Sequence, residues 1–70
     1  MKTTYSIISK DGIWGWNYEE ECGLSLKHGF EPTKFQDIAL ARKVFIEDME
    51  RDPDYKIIDN ETGKQIKNHP

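Results

Sequence analysis

Cys22 and His28 are the first residues to weigh, because a thiol near an imidazole can act as a nucleophile with its base or as a pair of metal ligands. Five residues intervene between them, a spacing that matches no ligand signature, and nothing in the sequence holds His69 near either one. No third group is in sight to orient the imidazole. The residues therefore point to no catalytic centre, no metal and no cofactor. Gly63 and Lys64 are not a phosphate loop, since the upstream glycine and the downstream Ser or Thr are missing.

Two other groups of side chains have chemistry to offer. Trp14, Trp16 and Tyr18 alternate along one stretch and present faces on which bases, sugars or a peptide can stack. They also supply the bulk that dominates small cores, and a lone helix covering a sheet would bury such a face first. The core reading is preferred, and a third arrangement leaves Trp14, nearest the turn, partly exposed. The acidic residues form the second group: Glu19, Glu20 and Glu21, with Glu47, Asp48, Glu50, Asp52 and Asp54 further along. They read either as a solvated face or as a docking patch for a basic partner. Arg42, Lys43 and Arg51 interleave with the second run and dilute its charge.

The elements that must position these side chains are organised around one helix, expected over residues 37–51 with Asp37 as its N-cap and the Asp52-Pro53 step as its stop. At about 100° per residue, Ile38, Ala41, Phe45 and Met49 form the stripe that should lie on a sheet. Leu40 and Val44 fall to one side of it and Ile46 to the other. That apolar surface is broader than one sheet contact requires, which marks Leu40, Val44 and Ile46 as a candidate interface. Glu47 and Arg51 are an i,i+4 pair in the favourable order.

Before the helix, residues 3–9 are rich in β-branched and aromatic types, and Asp11-Gly12 is a hairpin signal of the type I′ kind. With those two as the loop, Lys10 pairs with Ile13, Ser9 with Trp14, Ile7 with Trp16 and Tyr5 with Tyr18. One face then collects Tyr5, Ile7, Trp14, Trp16 and Tyr18, and the other the smaller Ser6, Ile8, Gly15 and Asn17. Glu19 to Glu21 end the second strand, Cys22-Gly23 is a break, and residues 24–30 offer a third strand through Leu24, Leu26, His28 and Phe30. After the helix, residues 55–59 read as a strand, Gly63 as the positive-φ residue of a turn, and residues 64–67 as a short edge strand guarded by lysines. Residues 68–70 are expected to fray.

The resulting fold class is α+β, a small antiparallel or mixed sheet of four to five strands in the order β-β-(β)-α-β-β, covered on one face by a single helix, with residues 1–70 forming one domain. A domain this small buries only about 60% of the surface its unfolded chain exposes. The single cysteine allows no internal disulfide, so packing alone must hold the chain, and a reducing, cytoplasmic location is expected. No apolar run approaches the ~20 residues of a membrane span, and the first ten residues lack the apolar core of a signal peptide. The formal charge of −3, with no basic block, argues against sequence-independent attraction to nucleic acid.

The hairpin, third strand and helix, with Phe35, Asp37 and Ala41 opening the helix, resemble the three-strand-plus-helix domains of plant transcription factors and the arm-binding domains of integrases. That resemblance implies DNA reading through an exposed sheet face, but the basic sheet residues it requires are absent here, and no functional residue is carried over. The chain's size and acidity are also reminiscent of small phage and mobile-element proteins that dock on a host factor. The expectation is therefore a non-enzymatic domain that binds a larger protein or a second copy of itself, with Leu40, Val44, Ile46, Glu19, Glu20, Glu21 and Trp14 as candidate contact residues. Nucleic-acid binding through the sheet is the alternative, and no membrane partner is expected.

Overall fold

A computed structural model describes residues 3–50 and 52–66. Five strands, β1 (Tyr5–Ser9), β2 (Trp14–Asn17), β3 (Cys22–Ser25), β4 (Tyr55–Asp59) and β5 (Gln65–Ile66), form one sheet in the order β3-β2-β1-β4-β5. Every pairing is antiparallel. One helix, α1 (Ile38–Glu47), packs on β1 and β4, so the α+β architecture expected from the sequence is the one the chain adopts.

The core grows from the pairing of β1 with β4. Their register runs from Tyr5 opposite Asp59 to Ser9 opposite Tyr55, which sets Ile7 against Ile57 at the centre of the sheet. Both isoleucines are at most 1% exposed, and Phe35, Ala41, Val44, Phe45 and Met49 close over them. Tyr5, Trp16, Ile38, Tyr55 and Ile66 flank this cluster. β4 occupies the residues assigned to it from the sequence, and Gly63 takes φ +74° in the turn that follows. There its N–H donates to the Asp59 carbonyl at 2.7 Å, and β5 then returns as an edge strand.

The first hairpin keeps the expected register with a different turn. Ile8 opposes Gly15, the pairing that also aligns Ile7 with Trp16. A type I′ turn needs positive φ at both central residues, yet of Asp11 and Gly12 only Gly12, at +76°, has it. Lys10 and Ile13 do not pair with each other. Instead the Gly12 N–H reaches the Ser9 carbonyl, the Lys10 N–H reaches the Asp54 carbonyl, and Ser9 Oγ accepts from the N–H groups of Ile13 and Trp14. Asp11 Oδ1 accepts from the Ile13 N–H and from the Ser9 hydroxyl, so side chains close the loop.

At its open end the hairpin is wedged apart, and Tyr18 does not face Tyr5. Tyr5 pairs with Phe35 through two main-chain hydrogen bonds of 2.8 and 2.7 Å. The Thr33 N–H donates to the Trp16 carbonyl, and Thr33 Oγ1 accepts from the Tyr18 N–H. The segment entering the helix therefore fills the place that Tyr18 was expected to take, and the two rings of Tyr18 and Phe35 meet edge to face at 6.1 Å.

The third strand exists but begins earlier than expected. The break lies at residues 18–21, where Asn17 Oδ1 accepts the Glu20 N–H and Glu21 takes φ +53°. Cys22 and Gly23 belong to β3, whereas Leu26–His28 form a 3-10 turn closed by Gly29 at φ +86°. Gly23 leaves room in the strand for the Tyr55 hydroxyl, which a Cβ there would approach to 2.7 Å. The segment after β3 also covers part of the face opposite the helix. A Cβ on Gly15 would lie 2.8 Å from both Leu26 and Pro32, so the helix is not the only cover on the sheet.

The helix starts where its cap predicts, with Asp37 Oδ1 accepting the Ala39 N–H at 2.9 Å. It ends earlier than the Asp52-Pro53 step, because Glu50 takes φ +52° and turns the chain back toward β4. Met49, expected on the stripe that lies on the sheet, is in the core at 8% exposure. The Glu47–Arg51 pair, Lys67 on the edge strand and the expected fraying at 68–70 lie outside the described residues. No described helix is long and apolar enough to cross a membrane.

Candidate functional site

The two acidic runs picked out in the sequence meet in space around one indole. Trp16 points to the helix side of β2, Glu21 stands in the left-handed turn that enters β3, and Asp48 caps the C-terminus of α1. Together they line a pocket of about 260 Å³. Each is delivered by a local device already described: the β1–β2 register sets Trp16, the Asn17 side-chain turn sets Glu21, and the early end of the helix sets Asp48. Glu21 and Asp48 are exposed and Trp16 is half-buried.

The chemistry of this lining is specific in sign. Two acidic residues beside an indole attract a cation through their charge. The helix end adds to the same potential, since its C-terminal carbonyls carry partial negative charge. Among the described residues Trp16 Nε1 is buried without an acceptor. No group of three or more His, Cys, Asp or Glu side chains converges as a metal cluster among those residues.

The remaining candidates are dispersed. Val44, at 3% exposure, belongs to the core and not to an open flank, because the helix leans so that the i,i+3 neighbour of Ala41 also faces the sheet. Leu40 is exposed and Ile46 half-buried, and with Val44 in the core they stand alone on opposite sides of the stripe. Glu19 and Glu20 are exposed in the turn before Glu21. Trp14, 45% exposed, projects near the first turn, and Tyr18 is exposed in the turn that follows β2. Cys22 is an exposed free thiol at the start of β3, and His28 is exposed in the 3-10 turn.

Two ionisable groups outside the pocket are perturbed for structural reasons. The Ser9 hydroxyl, followed by the Ile13 N–H, holds the Asp11 carboxyl below its ordinary value. Burial, followed by the charges of Asp52, Asp11 and Asp54, pushes the Tyr55 phenol above its ordinary value. Both groups build the fold around the site. Compared with protein-family models, curated proteins and solved structures, the chain shows no match to any of them.

Proposed function

We propose that this chain is a non-enzymatic protein-binding domain whose docking surface is the acid-lined pocket over Trp16 and whose partner carries a basic segment. The observation that carries the reading is the convergence of Glu21 and Asp48, from distant parts of the sequence, on one indole-lined pocket. The excess of acidic over basic residues in the whole chain steers a basic partner toward it. Glu19 and Glu20 extend the acidic rim, whereas Leu40 and Ile46, on opposite sides of the stripe, are too separated to serve as the main contact. A cytoplasmic location fits the lone exposed thiol of Cys22, which stays reduced there.

The test is affinity capture from nuclease-treated lysate of the source cell, with wild type and the Glu21→Gln/Asp48→Asn double variant as parallel baits. The reading expects a protein held by the wild type, lost by the variant, and binding through a basic region. Equal capture by both baits would remove the pocket from the interface. Capture that vanishes with nuclease would favour nucleic-acid binding instead.

A further inference from the structure

β3 is an edge of the sheet, and its outer side is open main chain. The Leu26 N–H donates to the Ile13 carbonyl, and the β2–β3 register matches Trp14 with Ser25 and Trp16 with Gly23. In an antiparallel ladder bonded and non-bonded pairs alternate. The bonded pairs of this ladder are therefore Ile13 with Leu26, Gly15 with Leu24, and Asn17 with Cys22. Gly23 and Ser25 must then direct their N–H and C=O groups away from β2. Neither meets a main-chain partner beyond that ladder among the described residues.

Natural edges are commonly blunted by lysine, by proline or by a covering segment. Cys22, Gly23, Leu24 and Ser25 include neither lysine nor proline. The opposite edge, β5, is described over two residues and is preceded by Lys64. β3 is the one with an acidic, indole-lined pocket close by, because Gly23 pairs with Trp16 and Glu21 leads into the strand.

We infer that the outer edge of β3 receives an extended basic segment of the partner protein as an additional antiparallel strand, with an arginine or lysine side chain seated against Trp16 between Glu21 and Asp48. This rests on the protein-binding reading above and specifies its mode. A partner residue opposite Gly23 exchanges main-chain hydrogen bonds with it and, by strand alternation, projects its side chain to the helix side of the sheet. That is the side on which Trp16 lies, and the side chain reaches it past the Tyr55 hydroxyl that stands over Gly23. Main-chain bonds then supply affinity that is indifferent to sequence, and the pocket selects a cationic side chain at alternate positions.

The occupant's charge follows from the pocket, whose two carboxylates would repel an acidic strand. A second copy of this chain docked β3 to β3 is the less complementary occupant, because it would bring Glu19, Glu20 and Glu21 of both copies toward one interface.

The experiment uses a synthetic peptide that alternates valine and arginine, titrated into the isotopically labelled full chain and followed by amide spectra and hydrogen exchange. In the inferred register the arginine amides face β3 and the valine amides face solvent. N-methylation of the arginine amides should weaken binding about tenfold or more, as expected for one or two lost hydrogen bonds, whereas N-methylation of the valine amides should leave binding within about twofold. The Gly23 and Ser25 amides should exchange more slowly in the complex.

If all three peptides bind alike and only Glu21→Gln/Asp48→Asn abolishes binding, strand addition is wrong and the basic-partner reading stands. Equal losses from the two N-methylated peptides, or unprotected Gly23 and Ser25 amides, also overturn strand addition. If none of the peptides binds at millimolar concentration, both inferences fall.

Discussion

Replacing Gly15 with alanine tests whether the segment after β3 is seated on the sheet, and the sign of the effect decides it. Gly15 lies in the middle of β2 and is not among the positive-φ glycines, so its backbone accepts any L residue. With free space above it, the substitution would stabilise the protein by about 0.4–1 kcal/mol through the less flexible unfolded chain. The new Cβ would instead lie 2.8 Å from Leu26 Cδ2, 2.8 Å from Pro32 Cβ and 3.3 Å from Pro32 Cγ. Carbon atoms prefer separations of about 3.5–4.0 Å.

The Leu26 methyl can rotate away, but the Pro32 ring cannot, and its neighbour Thr33 is pinned by bonds to Trp16 and Tyr18. Overpacking of this kind costs about 1–3 kcal/mol, which outweighs the unfolded-state gain. A chain of this length has roughly 4–10 kcal/mol of stability, and a domain its size loses about 4–8 °C of Tm per kcal/mol. Thermal unfolding followed by circular dichroism should therefore show Gly15→Ala melting about 5–15 °C below wild type. Combining it with Pro32→Gly should cost less than the sum of the two single changes, since the clashing ring atoms are gone. A Gly15→Ala protein that melts above wild type would refute the packing described for this face.

Other perturbations act on the devices that hold the site. Asp37→Ala removes the acceptor of the Ala39 N–H and should cost about 1 kcal/mol in urea unfolding, whereas an unchanged midpoint would mean the cap is idle. The Asp11 carboxyl lies below 3.8 in the folded chain, chiefly through the Ser9 hydroxyl, so its contribution is present above that pH and lost as pH falls through the lowered value. Asp11→Asn should flatten that part of the acid unfolding limb, and identical acid limbs for the two proteins would contradict this. The Tyr55 phenol lies above 10.0, first through burial, so its contribution is full below pH 10 and fades as pH rises through the raised value. Phenolate absorbance should show one late-titrating tyrosine that disappears in Tyr55→Phe, and loss of an early component instead would reverse the assignment.

What could be read from the sequence was whatever local pattern specifies alone. The alternation in Tyr5, Ile7, Trp14 and Trp16 fixed the hairpin register, because a slip by one residue would exchange the two faces along its length. Asp37, Tyr55–Asp59 and Gly63 were equally readable, as a cap, a strand and a positive-φ turn residue. Asp11-Gly12 misled because Ser9 supplies hydroxyl bonds that stabilise a longer loop. Gly23 looked like a break, and its place in β3 is explained only by Tyr55, a residue distant in sequence. The helix end was hidden because nothing in Glu50 itself announces φ +52°. Val44 was misjudged by a stripe drawn too narrowly. The acidic runs were visible one by one, but their meeting at Trp16 depends on the β1–β2 register, the Asn17 turn and that early helix end together.

Whether the pocket over Trp16 takes a cation can be read from the nitrogen-bound indole proton of Trp16. The full chain, labelled with nitrogen-15, would be titrated with N-acetyl-arginine amide and, separately, with its citrulline counterpart, which keeps the shape and loses the charge. The Trp16 resonance and the Glu21 and Asp48 amides should move with arginine only, and Glu21→Gln/Asp48→Asn should abolish the response while Trp14 stays still. Equal shifts with citrulline, or no shift at Trp16 with either compound, would contradict it.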